Sequence, residues 1–587
     1  MKPQARNPRN MMGDNEPLLP PTPGSSAFVH GKRNRTDNAW LAAWLSVLVL
    51  AVVGGIYGIT HRNPAFLDLV NPSTLNDPAA CPAVSHARGL KQTSPTPTTA
   101  YDTLMSHSAG WTAGTLLGSL GLGLGFVALL KHSAQGLVAT AIGLQVGLPL
   151  GAALSFFLAG SVAGGFAMLG VAGLLGVLFV MYKEQIDLVT RLLGVAGHAL
   201  VECSGLVGLA VGLQLALLLV VVPLVTMGVA AFTNGHLIFN PARSMTSPEQ
   251  PNALDGLGGS GLGPLAKKGD VPELQCTNLS GDKVLCCTWE PEPWVPFYMA
   301  LLSLALSWTT FLLFEVKVFT VAGTVAQWYF APVSGPGGMT GGVSGRSPRS
   351  SRVGTSLSHA LGPQLGSLCF SSAVLTLVSY LRQMLEKARR EQGNNLLFCI
   401  FAYFANLFYT LIEFCTKFAT VQMALTGQAF MPAAHSVVDL LRRNFLDAFG
   451  VWWLPPLILQ NCAFLAAATF GGGMWAAGYA SLGGFSSAPA PAPGPEGEAA
   501  AASPMAVAVM LAIIAFLCAW VVLAFFCALL LNVVDAVFLC FALDRDMRTC
   551  TRVEVHQVYC CLPTVGPVVE QPDGDVAYGR PPQPATV

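Results

Sequence analysis

Long apolar runs separated by polar stretches set the pattern of this chain. Trp40–Thr60 passes 21 residues without a charge, and about 20 apolar residues let an α-helix cross a hydrocarbon core of ~30 Å. Comparable runs are Ala109–Leu130, Leu137–Leu158, Val162–Tyr182, Val207–Phe232, Val295–Phe314, Val451–Gly471 and Met505–Leu531. Leu361–Leu381 is short, and Leu396–Phe430 is long and carries Glu413 and Lys417. None shows the in–out alternation of a membrane barrel strand, whereas a helix satisfies its backbone hydrogen bonds internally in lipid. The pattern predicts an all-α polytopic membrane protein of about ten transmembrane helices.

The same pattern divides the chain. A polar tail (1–39), expected to be disordered, precedes the first helix (40–60) and a polar loop (61–108). Helices two to five fall in 109–232, followed by a Cys-containing loop (233–294) and the sixth helix (295–330). A Gly/Ser-rich linker (331–360) leads to helices seven to ten (361–541) and a final tail (542–587). The tail at 1–39 is polar and Pro-rich, and Trp40–Thr60 is too long for an h-region, so no signal peptide is expected.

Composition agrees. Charged residues are 11% of the chain and hydrophobic residues 53%, against roughly 25% charged in soluble proteins. Lys plus Arg equals Asp plus Glu, 31 to 31, which excludes the basic excess of a nucleic-acid binder. The placement of these charges carries the orientation. The first tail has six bases against Asp14, Glu16 and Asp37, and the 331–360 linker has Arg346, Arg349 and Arg352 with no acid. Both are expected on the cytoplasmic side, as is the C-terminal tail. Residues 233–294 carry seven acids against four bases and are expected outside. Lys387, Arg389 and Arg390 strain this scheme, because they face outward if the seventh run crosses; the alternative is that 361–381 re-enters.

The outer loops hold Cys81, Cys276, Cys286 and Cys287, enough for two disulfides with three pairings open. Asn278-Leu279-Ser280 is a glycosylation sequon. No Walker loop, HExxH, GxSxG or Cys/His zinc spacing occurs, so neither an enzyme nor a metal or cofactor is expected. The glycines of Gly118–Gly125 lie inside a run and read as helix packing.

Ionisable residues inside apolar runs are costly in lipid and point to function. Glu315 and Lys317 end the sixth run, and Asp535 closes the last. Glu413 and Lys417, four apart, share one helix face and suit an ion pair. They read either as a structural pair or as part of a substrate site. His198 and Glu202 share a similar spacing on an amphipathic segment, Arg191–Leu206. Trp308, Trp328 and Tyr329 could surround an organic cation by cation–π attraction, worth ~2 kcal/mol or more per ring when desolvated.

Four patches then resemble the choline transporter-like family. Val321-Ala322-Gly323 with Trp328-Tyr329-Phe330 is similar to its VAG…WYF signature. Leu365-Gly366-Ser367-Leu368 is similar to the opening of its seventh helix. Gly427, Phe430 and Ala434, with Arg443 and Asn444, fit its G-x-x-F-x-x-x-A…R-N segment. Val534-Asp535 with Phe538–Phe541 and Asp544 is similar to the end of its last helix. The patches span about residues 300–546 in the family's order, and Phe418, Thr420, Met431 and Ala433 depart from it, so the chain resembles a divergent member.

The resemblance implies a plasma-membrane transporter, facilitated or ion-coupled rather than ATP-driven, for choline or a related small organic cation. An organelle membrane is the alternative location. Trp308, Trp328 and Tyr329 would supply rings, and Glu413 or Glu315 the charge. Two other readings stay open: a pathway for a different solute or ion, and a non-transporting scaffold that binds partners through its outer loops.

Overall fold

The computed structural model describes residues 28, 33–63, 66, 98–239, 243–244, 277–278, 287–331, 349–392, 396–440, 454–481, 504–547, 551–559, 568–570 and 576–578. In chain order its helices are α1 (Asn38–Thr60), α2 (Thr98–Leu158), α3 (Val162–Met181), α4 (Lys183–Glu202), α5 (Gly205–Phe232) and α6 (Trp294–Tyr329). They continue with α7 (Arg349–Leu361), α8 (Leu365–Gln392), α9 (Leu396–Thr426), α10 (430–440), α11 (Leu454–Ser481), α12 (Pro504–Asp546) and α13 (Val553–Tyr559). Short strands pair antiparallel: β1 (Gly235–Phe239) with β4 (Cys287–Pro291), β2 (Arg243–Ser244) with β3 (Thr277–Asn278), and β5 (Val568–Glu570) with β6 (Val576–Tyr578).

Among the described residues nine helices are long and apolar enough to cross a membrane. The chain is therefore an all-α, multi-pass integral membrane protein. The second and third expected spans are successive helical parts of α2, Gly114–Leu130 and His132–Leu158, interrupted by the non-helical Ser133 (φ −153°, ψ 60°). Its Gly114–Leu130 part is the shorter apolar helix beside those nine. The seventh run is a continuous helix that carries Lys387, Arg389 and Arg390 on its own extension. The eighth ends at Thr426, and Gly427 (φ 72°) turns the chain into α10. With 36 and 43 residues, α6 and α12 are about 54 and 65 Å long at ~1.5 Å per residue, beyond what the hydrocarbon alone requires. Of the outer-loop candidates, Cys81, Cys276 and Cys286 lie outside the described residues. Asn278 and Cys287 are described only as backbone positions of β3 and β4.

The chain forms two compact units. Residues 42–96 and 214–310 make one. Its core is Ala51 of α1, Leu224 and Ala231 of α5, and Tyr298, Leu302 and Ala305 of α6. Small residues set the packing distance: a Cβ on Gly58 would lie 3.0 Å from the Ala231 Cα, as expected where helices approach closely in lipid. Buried polar groups here have partners. The Tyr298 hydroxyl donates to the Ala51 carbonyl at 3.0 Å, and Asn234 Nδ2 donates to the Gly58 carbonyl at 2.9 Å.

The other unit comprises residues 1–41, 97–213 and 311–587. Within it α11 packs on α12, and α2 reaches α12 where a Cβ on Gly123 would lie 2.5 Å from the Phe526 ring. That glycine belongs to the Gly118–Gly125 run and serves packing. Residues 33–37, at the end of the tail expected to be disordered, are instead held by this unit.

Candidate functional site

The second unit gathers most of the ionisable residues that the sequence places in apolar runs. Glu315 of α6 is 3% exposed. Its Oε2 accepts hydrogen bonds from Ser371 of α8 at 3.2 Å and from Thr420 of α9. Among the described residues no base pairs with it. The helical period explains the hydroxyls: Ser372 and Thr376 of α8 are buried and donate to carbonyls three or four residues back. Ser371 has one proton, which serves either Glu315 or the Leu368 carbonyl. Removing a carboxylate from water costs several kcal/mol even after relaxation, and about 1.5–3 kcal/mol returns with each hydrogen bond to a charged group. Two hydroxyls, one of them shared, are the hydrogen-bond donors to Glu315, and the Lys417 ammonium acts on it from a greater distance while paired with Asp535.

The neighbouring charges are matched. Glu413 and Lys417 do not pair with each other, as their spacing suggested. Glu413 meets Arg382 of α8 at 3.1 Å, and Lys417 pairs with Asp535 of α12. An intrahelical pair would strand Arg382 and Asp535 in a poorly solvated seam; two interhelical pairs leave no such orphan and tie α9 to both neighbours. Lys317 lies over the Phe314 ring, 5.0 Å from its centroid. Sequence spacing gave Glu413 and Lys417 their shared face but not their partners, because Arg382 and Asp535 come from distant segments.

The end of α6 forms a second cluster. Trp328 and Tyr329 are 2% and 0% exposed. Trp328 Nε1 donates to Glu202 of α4, and its ring faces the Arg552 guanidinium at 4.5 Å. Arg552 also donates to the Trp328 carbonyl at 2.7 Å. The Tyr329 hydroxyl donates to Asp544 at 3.1 Å, and His556 Nε2 lies 3.1 Å from the same carboxylate oxygen. Thr551 completes the Asp544 shell through its N–H and hydroxyl, both at 2.8 Å. The cation on Trp328 is thus one of the chain's own. Trp308 stands twenty residues earlier on α6, about 30 Å along the axis, so the expected rings are not brought together.

A third cluster closes the ends of α8, α9 and α10. Asp37 accepts from the Ser367 hydroxyl at 2.6 Å and from the Phe430 N–H at 3.4 Å. Thr36 lies 2.7 Å from the Ser367 hydroxyl, and its N–H donates to the Pro363 carbonyl at 3.3 Å. Arg33 donates to the Met423 and Ala424 carbonyls at 3.3 and 2.8 Å. These carbonyls belong to the last turn of α9, where Met423 also accepts from the Gly427 N–H at 2.8 Å and a cation meets the negative end of the helix dipole. Burial lowers the Arg33 pKa to about 10, which leaves it charged at neutral pH. Trp40 stacks on Phe370 at 4.6 Å and 6°.

A family model described as plasma-membrane choline transporter matches residues 166–546. The chain belongs to this family. Among relatives, Protein PNS1 of Gibberella zeae is 24% identical over 177 residues, 29% of this chain and 30% of that protein. Protein PNS1 of Saccharomyces cerevisiae is 26% identical over 136 residues, 22% and 23% of the two chains. A CTL-like protein of Dictyostelium discoideum is 30% identical over 132 residues, 21% of each. The chain thus spans less than a third of the length of these curated relatives.

The family-motif residues have structural tasks. Gly366 passes so close under residues 36–37 that a Cβ would lie 2.3 Å from the Thr36 carbonyl oxygen. Ser367 and Phe430 bind Asp37, and Gly427 supplies the left-handed turn (φ 72°) beside Arg33. Gly323 packs against Ser356 of α7, where a Cβ would lie 2.9 Å from the hydroxyl. Phe330 edges onto Tyr329 at 4.9 Å, and Asp535 holds Lys417. Asn444 lies outside the described residues.

Proposed function

We propose that the chain transports choline or a related small organic cation, with Glu315 as the carboxylate that seats it. The single observation behind this reading is a membrane-helix acid, 3% exposed, that accepts hydrogen bonds from two hydroxyls and, among the described residues, forms no ion pair, while Glu413 and Asp535 each hold a base. An arriving cation would supply a positive charge in direct contact, which Lys417, held by Asp535, does not. Choline cannot lose its charge by deprotonation, so a buried carboxylate suits it. Glu413 is less suited, because Arg382 already occupies it. Trp328 and Tyr329 organise the end of α6 in this reading.

Family membership supports a transporter over an enzyme. The loop charges support cytoplasmic termini, which places residues 33–37 on the cytoplasmic side. No nucleotide-binding motif occurs in the sequence, which favours facilitated or ion-coupled flux. Uptake of labelled choline and ethanolamine into proteoliposomes of the purified chain tests the proposal. Saturable choline uptake supports it; no uptake of either favours a different cargo or a scaffold.

A further inference from the structure

Helices α8 and α9 are joined through residues 393–395 and run back along one another. A helix–helix seam ordinarily carries apolar side chains at three- and four-residue spacing. Near its joined end this seam carries Arg382, Glu386 and Arg389 from α8 against Ala402, Tyr403 and Asn406 from α9. They line an open cavity of about 280 Å³, well above the ~10–15 Å³ of such space that one water needs. With Leu385 and Cys399 these residues leave a hole of mixed charged and apolar lining, open on the side where Tyr403 is 68% exposed.

Arg389 is exposed and its donors are accessible, whereas Arg382 is half-buried and partly engaged. Arg382 uses one terminal nitrogen on Glu413 at 3.1 Å, while its Nε is buried without a hydrogen-bond partner. Arg389 and Glu386 make no ion pair among the described residues. Two guanidinium groups match the oxygens of a phosphate ester, which they bind as planar forks. Glu386 and the Tyr403 ring offer the opposite preference, attraction for an ammonium group. The hole therefore suits a ligand that carries both charges a few atoms apart. Beside Tyr403, Phe401, Phe404 and Phe408 of α9 are 61%, 61% and 60% exposed, an apolar face for hydrocarbon chains.

We infer that the cavity between α8 and α9 binds the zwitterionic headgroup of a phospholipid, phosphate toward Arg382 and Arg389 and ammonium toward Glu386 and Tyr403. The acyl chains lie along the exposed phenylalanines. This site is separate from Glu315 and does not depend on the transport reading. A soluble phosphoester of an amino-alcohol, or free phosphate, presents part of the same chemistry, and the experiment separates these sources.

The full chain is purified in a maltoside detergent and titrated with submicellar dihexanoylphosphatidylcholine, glycerophosphocholine and inorganic phosphate, with binding read by isothermal calorimetry. Wild type should bind the lipid saturably, with the two soluble probes at least about tenfold weaker. Arg389→Gln should weaken lipid binding about tenfold or more, the expected loss of a charge-assisted contact. Arg389 is exposed at the end of α8, so the variant should fold, and Glu386→Gln provides a second probe of the ammonium end. Glycerophosphocholine binding as tightly as the lipid, with the same sensitivity to Arg389→Gln, assigns the headgroup site to a soluble phosphoester and overturns the lipid. Inorganic phosphate binding as tightly as the lipid overturns the zwitterionic assignment. Lipid binding within twofold of wild type in both variants overturns the site.

Discussion

Replacing Gly366 by alanine tests how residues 33–37 are held. A Cβ there would lie 2.3 Å from the Thr36 carbonyl oxygen and 2.7 Å from that of Asp37. Both obstacles are backbone, so neither can swing aside as a long side chain would. Relief requires lifting residues 36–37 from the first turn of α8. That movement breaks the 2.6 Å Ser367–Asp37 bond and the 2.7 Å Thr36–Ser367 contact. Overpacking costs about 1–3 kcal/mol, and losing a hydrogen bond to a charged group about 1.5–3 kcal/mol. Because both act at one place they overlap rather than add. We expect about 2–4 kcal/mol against the docked state, or roughly 30- to 700-fold in its population ratio. Hydrogen–deuterium exchange by mass spectrometry on a peptide covering residues 33–41 reads this directly. The reporter is the Thr36 N–H, donated to Pro363 at 3.3 Å. Gly472→Ala is the control, since its added Cβ meets nothing within 4 Å. Exchange at Thr36 that is equal in Gly366→Ala and wild type would mean that the close approach at Gly366 does not hold residues 36–37.

Two other outcomes follow from the same geometry. Lys417→Met leaves Asp535, 7% exposed, without its base and should cost about 3–5 kcal/mol. The double variant Lys417→Met/Asp535→Leu should recover most of that loss, and a double variant as unstable as the two singles summed would contradict the pairing. Burial, and then the nearby Arg33 guanidinium, hold the pKa of His359 below its ordinary value. The folded state therefore binds that proton less readily than the unfolded chain. Its contribution is complete above about pH 6.5 and declines as pH falls through that value. Wild type should lose more thermal stability than His359→Asn between pH 7.5 and 5.5; equal losses would count against it.

Helix positions were legible in the sequence because lipid admits only one backbone solution for a long apolar run. Asp37 stands one residue before α1, yet its carboxylate accepts hydrogen bonds from α8 and α10 rather than from its own helix. That redirection depends on Gly366, more than three hundred residues away, and no local pattern encodes it. The ionisable residues inside the runs are plain in the sequence, but their partners are not. Glu413 and Lys417 are neighbours on one helix, and the cost of leaving Arg382 and Asp535 unmatched overrides that proximity. The aromatic pair at the end of α6 stood out for its type, but its burial against Arg552, Asp544 and His556 needs the C-terminal helix in place. Ser371 and Thr420 carried little signal, since a hydroxyl in an apolar run ordinarily bonds its own helix.

The central claim is that Glu315 seats the transported cation. Initial uptake of labelled choline into proteoliposomes should be compared for wild type, Glu315→Gln and Glu413→Gln at matched incorporation. The amide oxygen introduced by Glu315→Gln can still accept from Ser371 and Thr420, so the helices should keep their packing while the charge is lost. Saturable choline uptake should fall at least tenfold in Glu315→Gln and far less in Glu413→Gln. Uptake by Glu315→Gln equal to wild type would contradict the account.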